Sequence, residues 1–140
     1  AQACAVAGIP VVMTDVAQAA LDRGMKTIDG SLERLVKKEK LTAEKKAEVL
    51  GRIATGTATD ALAGCDLVVE AATENLELKL KIFAQLDAAA KPEAIIASNT
   101  SSISITKLAA ATERADRVIG MHFFNPVPVM ALVELIRGLQ

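Results

Sequence analysis

The chain has 140 residues, of which 51% are hydrophobic, enough to bury one core at the usual size of a single domain. Its 16 Lys and Arg against 17 Asp and Glu leave a net charge of −1, which gives no electrostatic reason to expect nucleic acid or an anionic membrane as a partner. The two cysteines, Cys4 and Cys65, lack companions at ligand spacing, so neither a metal site nor a disulfide framework is expected and both read as reduced core thiols. No apolar run is long enough for a membrane-spanning helix, and the opening AQACAVAG lacks the basic start of a signal peptide, so a cytoplasmic location is expected.

Ala1 to Val6 reads as the tail of a helix ended by Gly8. The β-branched run that follows predicts a buried strand over Ile9 to Thr14. From Val16 to Lys38, the residues Ala20, Met25, Ile28, Leu32 and Leu35 recur near helical spacing and predict a long amphipathic helix, interrupted only by Gly24 and Gly30. Thr42 is placed to cap a second helix whose Leu50 and Ile53 face inward. The second half alternates more tightly: strand CDLVVEAA, helix Leu76 to Ala90, strand AIIASN, short helix Ile105 to Ala111, strand RVIGMHFF and a closing segment ALVELIRGL read as a strand. This order implies an α/β fold with a mostly parallel sheet and helices on both faces.

In such sheets ligands bind at the carboxyl ends of the strands, so polar residues there carry weight. Asp15 follows the first strand, where a dinucleotide-binding fold places an acid on the ribose hydroxyls of NAD and against the 2′-phosphate of NADP. It serves equally well as a cap for the next helix. Glu70, Glu74 and Asn75 surround the turn after VVE, with Lys79 one helical turn beyond Asn75; taken alone, helix-start acids and an exposed i,i+4 pair are ordinary surface features. The cluster SNTSS is more polar than a simple turn requires. Arg34, Lys37, Lys38 and Lys40, with Ser31 one turn before, form a basic patch whose default reading is a solvated helix face and whose sharper reading is a phosphate-rich ligand. The segment GMHFFNPVP holds the only histidine, His122, at a strand end stiffened by two prolines, with Glu134 near enough in sequence for the chain to bring its carboxylate back. A carboxylate on one ring nitrogen fixes the tautomer and raises basicity at the other, which suits removal of a proton from an alcohol as a hydride leaves the same carbon. The phenylalanines of this segment read as core residues.

The order and spacing of VVEAATEN, SNTSSISIT and HFFNPVPVMALVE resemble the L-3-hydroxyacyl-CoA dehydrogenases, and among them the bacterial 3-hydroxybutyryl-CoA branch, over Ala1 to Gln140. The resemblance implies a Rossmann-like, NAD-binding domain over residues 1–140 and an oxidoreductase that passes a hydride between NAD and C3 of a 3-hydroxyacyl-CoA, as in fatty acid β-oxidation or butanoate metabolism. It implies that His122 is the general base, that Glu134 orients it and that Ser101 bonds the substrate oxygen beside the nicotinamide. NAD contacts map onto Asp15, Glu74, Lys79, Ser101 and Asn125, and coenzyme A contacts onto Ser31 and Lys38, with no metal. Family members open with a first strand and a GxGxxG loop and continue into an all-helical domain that makes most of a homodimer interface; neither is expected within these residues, leaving strand edges that invite another chain. The competing expectation is a catalytically inactive nucleotide-binding or interaction fragment, and a phosphogluconate-type dehydrogenase, which uses a lysine base, ranks last because HFFNPVP has no role there.

Overall fold

The computed structural model describes residues 1–139 and contains five α-helices and six strands among them. The chain divides into two compact units, Ala1–Ala61 and Leu62–Gln140.

In the first unit, helix α1 (Gln2–Val6) ends at Gly8, whose φ of 90° is a left-handed conformation that glycine adopts without the Cβ clash other residues meet. Strand β1 (Val11–Thr14) follows, two residues shorter than expected because Pro10 has no N–H for a ladder. Helix α2 (Gln18–Lys37) runs unbroken through Gly24 and Gly30. At Gly24 a Cβ would stand 3.3 Å from the Met13 methyl on β1, a contact that a small shift of this flexible side chain relieves. The helix ends with Glu39 at φ 56° and the Lys40 N–H bonded to the Leu35 carbonyl, a Schellman arrangement on a residue other than glycine. Helix α3 (Ala43–Gly51) is capped by the Thr42 hydroxyl, which accepts from the Lys45 N–H at 3.2 Å. Ile53 does not continue this helix: Ile53–Gly56 forms strand β2, parallel to β1 in the register Val11 to Ile53. Pairing with β1 satisfies the backbone of a segment that local pattern alone leaves ambiguous. The core of the unit gathers Ala5, Ile28, Leu32, Val49 and Ile53, so α1, α2, α3 and β2 all contribute to it.

In the second unit, strands β3 (Leu67–Glu70), β4 (Ile95–Ser98) and β5 (Val118–Phe123) are parallel, and β6 (Val133–Arg137) closes antiparallel to β5. Helix α4 (Leu76–Ala89) connects β3 to β4, and helix α5 (Ile105–Ala109) lies between β4 and β5. Asn75 caps α4 by accepting from the Leu78 N–H at 2.9 Å, so the chain leaves β3 through a short polar turn directly into a helix. Phe83, Ile96, Ala97, Leu108 and Ala109 are fully buried. Gly120 permits close packing in this sheet, since a Cβ there would meet Ile136 Cβ at 2.9 Å and Ile105 Cδ1 at 3.0 Å. The expected closing strand is present, and along it Leu135 is 64% exposed. Both β1 and β3 are paired on one side only. Cys4 and Cys65 are free thiols, but both are half-buried rather than core residues. No helix among the described residues is long and apolar enough to cross a membrane.

Candidate active site

The strands of the second unit deliver their polar residues to one edge. Glu70 is the last residue of β3, Ser98 the last of β4, and Lys79 stands on the first turns of α4. All three are buried, at 5%, 0% and 1% exposure. The Lys79 ammonium donates to Glu70 Oε2 at 2.5 Å and to Ser98 Oγ at 3.3 Å, and the serine hydroxyl donates to the same carboxylate oxygen at 3.0 Å. The second oxygen, Glu70 Oε1, accepts from the Ala72 N–H at 2.7 Å. Every partner a buried charge requires is therefore supplied within a few residues of the strand ends. Sequence reasoning places Lys79 in an exposed helical pair; its burial overturns that reading, because the partner is Glu70 on the preceding strand, nine residues away.

A second layer sits above this pair. Glu74 Oε2 accepts from the Thr100 hydroxyl at 2.7 Å, and Oε1 accepts from the Ser101 N–H at 3.3 Å. These bonds, the hydroxyl first, hold the Glu74 carboxyl below its ordinary value despite some desolvation, with Lys79 and His122 adding weaker attraction. Thr100 Oγ1 in turn accepts from the Ile103 N–H at 3.0 Å, which folds the SNTSS segment back over the end of β4. Ser101 is thereby placed beside Glu74, with its backbone committed and its side chain exposed. Ala71, Ala72, Thr73, Glu74, Lys79 and Asn99 line a small cavity of about 180 Å³ at these strand ends.

His122 and Glu134 face each other across the β5–β6 ladder as directly opposed residues. Their side chains meet, with His122 Nδ1 2.9 Å from Glu134 Oε2, which assigns the proton to Nδ1 in the neutral ring and leaves Nε2 as the basic nitrogen. The imidazole is 20% exposed, open enough to reach a ligand. Phe124 packs against it with ring centroids 4.7 Å apart, so this phenylalanine supports the histidine instead of filling the core. Asn125, at the cis peptide bond to Pro126, is exposed just beyond. Sequence reasoning left Asn99 without a role: its side-chain oxygen accepts from the Phe123 N–H at 2.8 Å, next to His122. The signal was its place in the polar cluster that ends β4.

In the first unit, Asp15 is exposed one residue past β1, and its Oδ1 accepts from the Ala17 N–H at 2.9 Å. It does not cap a helix from Val16, because α2 starts at Gln18 with Ala17 as its N-cap. Ser31 accepts from the Gln2 side-chain amide at 3.0 Å, while Lys38 is exposed at the C-cap of α2. No group of three or more potential metal ligands occurs among the described residues.

Residues 1–140 match the family model described as 3-hydroxyacyl-CoA dehydrogenase, NAD binding domain. The chain is 56% identical to a 3-hydroxybutyryl-CoA dehydrogenase of Bradyrhizobium diazoefficiens over 99% of its own length and 47% of that protein. It is 45% identical to a fatty acid oxidation complex subunit alpha of Acinetobacter baylyi over 95% of this chain and 18% of that one. Among solved structures, the (S)-3-hydroxybutyryl-CoA dehydrogenase of Ralstonia eutropha superposes with a TM-score of 0.97 at 64% identity, covering 99% of this chain and 49% of that one. The chain thus spans about half the length of the curated 3-hydroxybutyryl-CoA dehydrogenases it matches. On a match that runs its whole length, the chain belongs to the NAD-binding domain family of the 3-hydroxyacyl-CoA dehydrogenases.

Proposed function

We propose that the protein catalyses the reversible, NAD-dependent oxidation of a 3-hydroxyacyl-CoA, such as 3-hydroxybutyryl-CoA, to the 3-oxoacyl-CoA. The observation that carries this reading is the His122–Glu134 pair at 2.9 Å on a strand end, in a chain of this family. His122 Nε2 takes the proton of the C3 hydroxyl. Glu134 holds the opposite nitrogen and stabilises the imidazolium that results. Ser101 donates a hydrogen bond to the substrate oxygen, keeping the hydroxyl aimed at the ring. NAD, when bound, supplies the acceptor for the C3 hydride.

The residues present suit that cofactor. Asp15 is an exposed carboxylate at the end of β1, where a ribose diol finds an acceptor, and its negative charge disfavours a 2′-phosphate. Glu74 and Lys79 line the cavity at the ends of β3 and β4; with Ser101 and Asn125 they are the remaining NAD contacts of this reading, the Lys79 ammonium being already bonded to Glu70 and Ser98. Ser31 and Lys38 form the contact for coenzyme A, Lys38 as an exposed cation for its phosphates. A homodimer in the cytoplasm, with an acyl-CoA as the small-molecule partner, completes the reading.

The test is loss of NADH absorbance with acetoacetyl-CoA on the full-length protein that carries this sequence. Turnover supports the reading. NADH binding without turnover would instead assign a non-catalytic nucleotide-binding module.

A further inference from the structure

We infer that Asn99 is a positioning residue for His122, holding the end of β5 through the backbone N–H of Phe123. The parallel ladder between β4 and β5 stops at the Ser98–Gly120 pair, two residues short of His122. Past that pair the register gives β5 no further partner on β4. Asn99 fills the gap with its side chain, whose Oδ1 accepts from the Phe123 N–H at 2.8 Å. Its own N–H donates to the Glu70 carbonyl at 2.8 Å, so a single residue ties the ends of β3 and β5 to the end of β4. On its other side β5 is held by the ladder to β6, in which His122 opposes Glu134. The imidazole is therefore mounted on a strand clamped from both edges, and Asn99 supplies one of the two clamps.

The residue type fits the task. The position needs an acceptor for the Phe123 N–H, and an amide oxygen supplies one. Asn99 also lines the cavity with Glu74 and Lys79, so the clamp links the wall of that cavity to the placement of the histidine. Its importance for turnover rests on the dehydrogenase reading; its effect on the imidazole does not.

The experiment compares Asn99→Ala and Asn99→Asp with the parent by NMR, and His122 is the only histidine of the 140 residues, so its ring nitrogens give an isolated signal among them. In the parent, the neutral ring carries the Nδ1–H signature and the Phe123 amide is protected from exchange. Asn99→Ala is expected to mix the tautomers and to expose the Phe123 amide at least 10-fold more to exchange, on the order of one lost hydrogen bond. Asn99→Asp keeps the acceptor and is expected to restore both. In turnover assays, Asn99→Ala is expected to lower kcat on the order of 10- to 100-fold with little change in KM for the acyl-CoA, as misplacement of a catalytic group does. An alanine variant with the parent's ring signature and exchange, or an aspartate variant that behaves like alanine, overturns the proposal. Changes in ring and amide as expected, in a parent that turns over no acyl-CoA, uphold the clamp and refute the dehydrogenase reading instead.

Discussion

Lys46 in the first unit and Lys79 in the second both meet carboxylates, in opposite surroundings. Lys46 reaches from α3 to Asp29 and Glu33 on α2, with side-chain exposures of 17%, 50% and 43%. Glu33 is held below its ordinary value by the Lys46 hydrogen bond, and Lys46 is raised chiefly by Glu33 and then Asp29. Lys79 and Glu70 each expose only 2% of their side chains. Arg114 follows the second pattern: it pairs with Asp87 at 14% and 13% exposure and also donates to the Asp87 carbonyl at 2.7 Å, stitching the end of α4. An ion pair in water contributes little because solvent already serves both charges, whereas a buried pair leaves a large unmet cost when either partner is removed. The second unit thus buries an ion pair beside its strand-end cavity, whereas the Lys46 pairs of the first unit stay partly open to solvent.

The largest expected effect is that of Glu70→Gln, which leaves the Lys79 ammonium buried without a counter-charge. It should destabilise the protein by about 3–5 kcal/mol in urea unfolding, with part of the loss recovered by Glu70→Gln combined with Lys79→Met. A single variant within about 1 kcal/mol of the parent would erase the contrast drawn between the units.

A smaller and pH-dependent effect is expected of Thr100→Val. Because the folded Glu74 carboxyl lies below its ordinary value, its contribution to stability is present above the unfolded value and is lost as pH falls through the folded one. Removing the hydroxyl raises the folded value towards the ordinary one. The stability gap between parent and variant should therefore be widest at neutral pH and should narrow as the solution is acidified. A gap independent of pH would assign the role of Thr100 to the bonds its hydroxyl oxygen accepts from the Ser102 and Ile103 N–H groups. The smallest effect belongs to Lys46→Gln, whose change in unfolding midpoint should be slight and should fade further with added salt. A large, salt-insensitive loss would show that exposure is a poor guide to these pairs.

Most of this organisation is legible in the sequence where local signals agree. The run LVVE, the polar turn with Glu74 and Asn75 and the helix read from Leu76 point to one answer, and a strand–turn–helix results. The approach of Glu134 to His122 follows from a return of the chain between two strands, and the two are opposed in the ladder. Strand β2 was not legible: IATG is four residues long and follows a helix without a strong stop, and only pairing with β1 decides its state. Nor was the burial of Lys79, since its partners Glu70 and Ser98 lie 9 and 19 residues away and helical periodicity carries no information about them. Asn99 escaped for the same reason, its acceptor being used 24 residues along the chain.

The central claim is that His122, oriented by Glu134, removes the proton in a 3-hydroxyacyl-CoA oxidation. Its most direct test is His122→Gln in the full-length protein, assayed with 3-hydroxybutyryl-CoA and NAD alongside a measurement of NADH affinity. A fall in kcat of at least about 100-fold with NADH affinity unchanged is the expected result. Turnover at the parent rate would contradict the account and remove His122 from the chemistry.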